Sequence, residues 1–253
     1  MRTLNKTILA VALATVTASA FADDAPAPAA TPDFTSTANV SLITDYRVRG
    51  ISNTFKEPAI QGGFDITHSS GLYIGTWESN VSSTYNPGSS LESDWYGGYR
   101  GKITDDLTYD VGAIYFYYPG GTMTNPTENT WEGYAGATYK WFNVKYTQDL
   151  TNYFGYVDSK GTNYLEGNVT VALPAAITML AHYGEQNSKG AQYLSVNGFN
   201  RIDDWKLAFS KDMVGVTWTA GYMDTNRTVL STEGTTTKNL SNGEFYASVG
   251  KTF

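Results

Sequence analysis

Residues 163–186 read NYLEGNVTVALPAAITMLAHYGEQ, and their pattern is the clearest indication of the fold class. Apolar and polar side chains alternate on both sides of a short connection at residues 174–176. The apolar positions are Leu165, Val169, Val171, Leu173, Ile177, Met179, Ala181 and Tyr183. Alternation with a period of two is typical of a β-strand with one apolar and one polar face. The stretch therefore predicts two antiparallel strands joined by a tight turn.

The same alternation recurs along the chain and predicts twelve strands. In one segment, residues 72–81, we assign Tyr73 and Trp77 to the apolar face, although Leu72 and Ile74 fit this face poorly. The twelve segments are 37–48, 59–68, 72–81, 91–100, 107–118, 130–140, 142–149, 163–173, 177–186, 204–210, 214–224 and 243–253.

The connections between these segments alternate between short and long. An even number of strands with short turns at one end and longer loops at the other is typical of an outer-membrane barrel. A sheet can cross lipid only if it closes, because open edges would leave backbone groups unpaired. We therefore expect a transmembrane antiparallel up-and-down β-barrel over residues 35–253, with ten or fourteen strands as alternatives to twelve.

Aromatic residues near the predicted strand ends indicate interfacial girdles, where amphipathic rings are favoured. The alternative interpretation is the core of a sandwich. The expected girdle residues are Tyr46, Tyr73, Tyr99, Tyr109, Tyr117, Trp131, Tyr139, Trp141, Trp205 and Phe253.

Composition excludes several classes of protein. The 253 residues contain no cysteine, which excludes disulfides, thiol nucleophiles and cysteine-ligated metal sites. The net charge of −7 argues against binding to nucleic acid, because phosphate contacts need an excess of Lys and Arg. Charged residues make up only 16% and aromatic residues 14%, yet the mean hydropathy is −0.31. This combination argues against a helical membrane protein and favours β-structure with two unlike faces.

The N-terminus carries an export signal. Arg2 and Lys6 precede an apolar stretch at residues 8–20, and Ala20-Phe21-Ala22 forms a small-x-small cleavage site. This arrangement predicts a Sec signal peptide over residues 1–22. An Ala/Pro-rich segment follows and predicts a flexible tether over residues 23–34. We expect the mature chain to reside in the outer membrane.

Charged side chains on the polar parity indicate a charged lumen. Ten acidic and six basic residues fall on this parity, so we expect a weak preference for cations. The set around the first long loop could brace the wall as internal ion pairs or form a constriction that selects solutes. The predicted lumen charge cluster is Asp45, Arg47, Arg49, Asp65, Glu78, Glu92, Asp94 and Arg100.

The sequence resembles a known family over the whole mature chain, most specifically in the first three predicted strands. Residues 44–52, TDYRVRGIS, are similar to the DYRFRGIS-type signature of the TorF porin family, also known as the Gcw_chp family. The similarity continues through residues 58–65 and 71–81. The resemblance implies a proteobacterial outer-membrane barrel that is named a porin by prediction. It supplies no catalytic residues.

No catalytic, cofactor or metal site is predicted. A barrel lipase would need a Ser–His pair oriented by a third group, and only His68 and His182 are present. We expect His68 at the membrane interface and His182 in the lumen as a structural residue. The acid pair Asp203-Asp204 is expected in a solvated connection, and no nucleotide-binding or protease motif occurs.

Three functions remain open from the sequence. The first is a narrow channel for passive diffusion of small solutes. The second is a closed structural or receptor-type barrel that acts through its outer loops, and the third is a secreted soluble β-sandwich. Expected partners are outer-membrane lipid, small solutes and the barrel assembly machinery. The last would recognise the terminal aromatic residue Phe253.

Overall fold

Twelve antiparallel strands close into a barrel in the computed structural model, which describes residues 33–253. Two further strand pairs, a short helix and a 3-10 turn at Pro174–Ala176 lie in the connections. The elements are β1 (Phe34–Ile43), β2 (Arg47–Val48), β3 (Ile51–Ser52), β4 (Ala59–His68), β5 (Leu72–Asn80), β6 (Leu91–Lys102), β7 (Leu107–Tyr117), β8 (Thr130–Tyr139), β9 (Phe142–Asp149), β10 (Asn163–Leu173), β11 (Ile177–Asn187), α1 (Ala191–Asn197), β12 (Arg201–Met213), β13 (Val216–Thr225), β14 (Leu230–Glu233), β15 (Thr236–Asn239) and β16 (Glu244–Thr252).

The barrel closes between its first and last strands. The strands β4 to β12 each pair with the next barrel strand in the chain, β13 pairs with β16, and β1 pairs with both β4 and β16. The β1–β4 register runs the full length of β1, whereas the β1–β16 register covers only Asn39–Ile43. Because the sheet closes, the soluble sandwich alternative is wrong and the predicted twelve-stranded barrel is confirmed.

The two faces of the wall differ in chemistry. Paired residues on neighbouring antiparallel strands share a face, so the register assigns each side chain to the exterior or to the lumen. Large apolar side chains cover the exterior, as a barrel in lipid requires. Exposed examples are Val40, Leu42, Ile60, Phe64, Ile66, Leu72, Ile74, Trp95, Val111, Leu165, Leu207 and Trp218.

Three of the predicted lipid-facing assignments are wrong. Tyr73 and Trp77 on β5 pair with Thr67 and Gly63 and point into the lumen, while Leu72 and Ile74 are exposed on the exterior. The predicted first strand, residues 37–48, ends at Ile43, so Tyr46 lies in a buried loop segment and not in an outer girdle. The predicted leader and all but the last two residues of the predicted tether lie outside the described residues.

The long connections gather at one end of the barrel, which we call the loop end. They are L1 (44–58), L2 (81–90), L3 (118–129), L4 (150–162), L5 (188–200) and L6 (226–243). Short turns join the strands at the opposite end, the turn end. Two apolar clusters hold the loops together, one around Ile51, Phe55 and Leu240 and the other around Tyr46, Phe116 and Tyr118. The loops therefore form a packed cap over the barrel.

Across residues 33–253, none of the helical segments has both the length and the apolar character needed to cross a membrane.

Candidate functional site

Loop L1 folds into the lumen as a small hairpin of β2 and β3. Arg49 and Gly50 form its two-residue turn with φ values of 49° and 79°, and positive φ at both positions is typical of a type I′ hairpin turn. A Cβ atom at residue 50 would overlap Thr225 Cγ2, so only glycine fits against the wall at β13. The tip of the hairpin is thus held against the inner wall.

Arg49 fastens this hairpin across the lumen. Its Nη2 atom lies 2.6 Å from Oε1 and 2.8 Å from Oε2 of Glu132 on β8, and both side chains are buried. Its guanidinium also lies 4.8 Å from the ring centroid of Tyr164. Burial alone would lower the pKa of Arg49, but the charges of Glu132 and its neighbours outweigh burial and raise it. Arg49 therefore stays charged inside the lumen.

Asp45 and Arg47 anchor the base of the same hairpin. Arg47 donates from Nε to Asp45 Oδ2 and from Nη2 to Glu244 Oε2 on β16, each at 2.6 Å. Asp45 also accepts hydrogen bonds from the hydroxyls of Ser52 and Thr54. The structure thus brings three residues of the predicted lumen charge cluster, Asp45, Arg47 and Arg49, close together. They lie in L1 and not on a barrel strand.

Glu92 lies under the cap in a fully buried position. The hydroxyls of Tyr46 and Tyr118 both donate to its carboxylate. Burial, together with the nearby Glu92 charge, raises the pKa of both tyrosines, so they remain protonated donors. Asp94 faces the lumen two residues further along β6, and its Oδ1 atom has no hydrogen-bond partner.

The remaining predicted lumen residues fall into two groups. Asp65 accepts from the hydroxyl of Tyr96 at 2.7 Å, and Arg100 donates to Asp110 at 3.0 Å, so both predicted residues face the lumen. Glu78 differs, because it pairs with Gly62 and Ser93 on the outward-facing parity. The inward assignment of Glu78 is therefore wrong, for the same reason as that of Tyr73: the two faces of β5 are reversed.

A second polar network on the opposite wall was predicted only in part. His182 lies in the lumen, 3.0 Å from Asp204 Oδ1 and 2.7 Å from Asn168 Oδ1, and Tyr164 donates to Asp204 at 2.8 Å. Asp204 was expected in a solvated acid pair at the start of a strand over residues 204–210, but β12 begins at Arg201 and carries it into the wall. The apolar alternation does not signal this extension, because Ile202 stands on the same parity as Asp204 and faces the lumen.

Carboxylates outnumber basic groups around the lumen. Besides Lys102 and Asp212 at the turn end, nine acids and three bases of the barrel wall face inward, and the L1 hairpin adds Asp45, Arg47 and Arg49. The acids are Asp65, Glu92, Asp94, Asp110, Glu132, Asp149, Glu166, Asp204 and Glu244, and the bases are Arg100, Lys145 and Lys206. The lumen is acidic overall, and one carboxylate oxygen each of Asp94 and Asp149 lacks a partner.

Comparisons with known proteins agree with this architecture. A family model described as "Bacterial protein of unknown function (Gcw_chp)" matches residues 27–253, and no curated protein sequence matches the chain. The KdgM porin in complex with disordered oligogalacturonate is similar with a TM-score of 0.51 at 10% identity, over 87% of this chain and 99% of that chain.

Two further solved structures are similar to this chain. A structure described under "Unveiling the Mechanism Behind the in-meso Crystallization of Membrane Proteins" has a TM-score of 0.52 at 9% identity, over 86% of this chain and 83% of that chain. OccAB3 of Acinetobacter baumannii has a TM-score of 0.40 at 13% identity, over 88% of this chain and 65% of that chain. At such low identities the two similarities with TM-scores of 0.51 and 0.52 establish the barrel fold alone.

Proposed function

The chain belongs to the Gcw_chp family, and we propose that it is an outer-membrane channel for passive diffusion of small solutes, with a preference for cations. The observation that carries the proposal is the acidic lumen of a closed barrel whose exterior is apolar. The porin name that the TorF resemblance implies is part of this proposal. We assign no catalytic activity to the chain.

The preference for cations rests on the charge of the lumen. Carboxylates in a narrow passage with walls of low dielectric focus a negative potential and concentrate cations there. Asp65 and Asp204 support this most directly, because tyrosine hydroxyls donate to their carboxylates and, among the described residues, neither forms an ion pair with a lysine or an arginine. Buried Asp94 and Asp149 do not carry the argument, because an ionised carboxylate without a partner is costly to bury.

The width of the passage is set by loop L1 in this proposal. The hairpin lies between Glu132 on β8 and Thr225 on β13, and it is fixed by buried ion pairs at its tip and base. Such a crossing segment narrows the lumen and favours small solutes. The KdgM porin is described with an oligogalacturonate, a polyanion, and the acidic lumen of the present chain disfavours such a solute.

Location and assembly complete the proposal. We infer export through the predicted signal peptide at residues 1–22 and insertion into the outer membrane, with the loop end outside the cell. Phe253 is exposed on the exterior at the turn end, and its backbone pairs with Ala38 of β1. An accessible terminal aromatic residue supports recognition by the barrel assembly machinery, which remains a prediction.

A second candidate function is a closed barrel that acts through its loops. The packed cap favours it, because Ile51, Tyr153 and Leu240 from three different loops share one apolar cluster over the lumen. A cap of this kind could seal the barrel and present a surface to an external partner.

Planar bilayer recordings distinguish the two functions. The mature chain from residue 23 is refolded in detergent, and heat-modifiable migration on gels verifies that the barrel has folded. We expect discrete conductance steps and a reversal potential in a salt gradient that indicates cation preference. Anion preference would contradict the charge argument, and a folded barrel without steps would favour the closed alternative.

Charge variants test the origin of the selectivity. Asp65→Asn combined with Asp204→Asn should lower the cation-over-anion permeability ratio by roughly half, because two lumen carboxylates that no described lysine or arginine pairs are removed. The matched control is Asp105→Asn with Asp106→Asn, two exposed acids in the turn between β6 and β7. Equal effects of the two double variants would show that selectivity does not come from the lumen acids.

A further inference from the structure

A cavity of about 320 Å³ opens within the loop end, separate from the ion pairs that fasten L1. Residues of loops L1 to L5 line it, together with residues of β6 and β7 at the loop end. Its volume lies within the range of small-molecule sites, which are lined by apolar and aromatic groups with a few polar ones. The aromatic part of the lining is Tyr85, Phe116, Tyr118, Tyr153, Phe154, Tyr156 and Tyr193.

Glu128 in L3 is the unusual member of this lining. It is only 4% exposed, and both of its carboxylate oxygens are buried without a hydrogen-bond partner. The carboxylate lies so close to the backbone of Gly121 that a Cβ atom there would overlap Glu128 Oε1. A buried ionised carboxylate without a partner is costly to the folded state. A ligand that supplies the missing donors would remove that cost.

The rest of the lining determines the charge of such a ligand. Glu92 also lines the cavity, but Tyr46 and Tyr118 already donate to its two oxygens. Among the described residues that line the cavity, none is a lysine or an arginine. Glu128 is thus left as one open negative charge, which matches a single positive charge on a ligand.

The aromatic rings determine the body of the ligand. Rings of tyrosine and phenylalanine attract ammonium groups through their faces and pack against apolar groups. A hard metal ion would instead require six or more oxygen ligands, and one free carboxylate among aromatic rings does not provide them. The lining therefore fits an ammonium group attached to an apolar or aromatic body.

We propose that this cavity is a binding site for a small organic monocation, with Glu128 pairing the ammonium group and the surrounding rings enclosing its body. The site stands independently of whether the barrel conducts, because it lies among the loops.

Isothermal titration calorimetry on the refolded mature chain tests the site with three matched probes. They are phenethylamine, which is cationic at pH 7, its neutral isostere 2-phenylethanol, and anionic phenylacetate. Each is also titrated into protein-free micelles so that partition into detergent can be subtracted. We expect phenethylamine to bind at least about tenfold more tightly than 2-phenylethanol, because a charge-assisted pair is formed only by the cation. Phenylacetate should not bind.

The variant Glu128→Gln keeps the shape of the side chain and removes its charge. It should reduce the affinity for phenethylamine to that for 2-phenylethanol and leave the latter unchanged. Glu233→Gln is the matched control, since Glu233 is an exposed acid of the β14–β15 hairpin outside the cavity. A thermal shift provides a second readout: phenethylamine should raise the unfolding temperature of the wild type and not of Glu128→Gln.

Two results would overturn the proposal. One is equal binding of phenethylamine and 2-phenylethanol to the wild type, a result that does not depend on any variant folding. The other is unchanged phenethylamine affinity in a Glu128→Gln protein that migrates as a folded barrel.

Discussion

At the scale of single residues, Arg49 holds together two strands that would otherwise repel each other. Glu132 on β8 and Asp149 on β9 are register partners, so their carboxylates face the lumen side by side. Like charges directly opposite each other destabilise a sheet. The guanidinium of Arg49 pairs with Glu132 and supplies the positive charge at this position. The ion pair therefore supports the wall as well as the L1 hairpin.

Loss of Arg49 should destabilise the folded barrel strongly. Arg49→Met should lower the free energy of unfolding by about 3–5 kcal/mol, because one partner of a buried pair is left uncompensated. Urea unfolding in detergent, followed by tryptophan fluorescence, measures this change.

Two further variants separate the buried pair from a general effect of removing arginine. Arg49→Met combined with Glu132→Gln should recover part of the loss, since the unpaired charge is then gone. Arg201→Met is the control, because Arg201 forms its ion pairs with Glu185 and Asp203 on the exposed outer face, and it should change stability little. If Arg49→Met unfolds like Arg201→Met, the pair does not support the wall.

The residues of this site could be predicted from the sequence, but their place in the fold could not. Asp45, Arg47 and Arg49 stand on one parity of an alternating segment, and a lumen hairpin has the same period of two as a barrel strand. What ends β1 at Ile43 is the pairing of L1 residues with Glu132 and Glu244, which are distant in sequence. Local periodicity contains no information about such pairing.

At the scale of elements, β5 shows how an aromatic residue can mislead an assignment of faces. Tyr73 was predicted to face lipid as an interfacial aromatic, yet its hydroxyl donates to Asp110 at 2.6 Å inside the lumen. Leu72 and Ile74, which fitted the prediction poorly, occupy the lipid face. Tyrosine suits either face because it has an apolar ring and a polar tip, whereas leucine and isoleucine suit only one.

A charged residue at position 74 tests the corrected faces of β5. Ile74→Lys should lower the stability of the barrel in lipid vesicles by up to about 2–4 kcal/mol, because lysine on the lipid face must be desolvated. Thr170→Lys, on the lumen side of β10, is the control and should be tolerated, because its side chain faces the polar lumen. Unfolding by guanidinium in vesicles gives both values, and equal tolerance of the two substitutions would contradict the assignment.

At the scale of the whole molecule, the cap determines how much of the lumen is open. The barrel itself could be predicted well, because twelve alternating segments and connections of alternating length all indicate the same closed sheet. The packing of six loops over the lumen could not be predicted, since it joins residues such as Phe55 and Leu240 by contacts far apart in the sequence.

Replacing the L1 hairpin should open the passage. A Gly/Ser linker of equal length in place of residues 46–56 should raise single-channel conductance severalfold, because the segment that crosses the lumen is removed. The control replaces residues 231–237 of the exposed β14–β15 hairpin in the same way. Unchanged conductance in the folded L1 variant would show that another segment limits the passage.

The pairing of β1 with β16, which closes the barrel, also limits how the chain can insert into a membrane. This pairing places Ile43 opposite Ser248 and so joins the first barrel strand in the sequence to the last. Until β16 is in place, β1 and β13 both have an edge of unsatisfied backbone groups, and hydrocarbon tolerates neither. Membrane insertion is therefore all-or-none: a chain that lacked residues 244–253 would not form this barrel, because β1 and β13 would each keep an open edge in lipid.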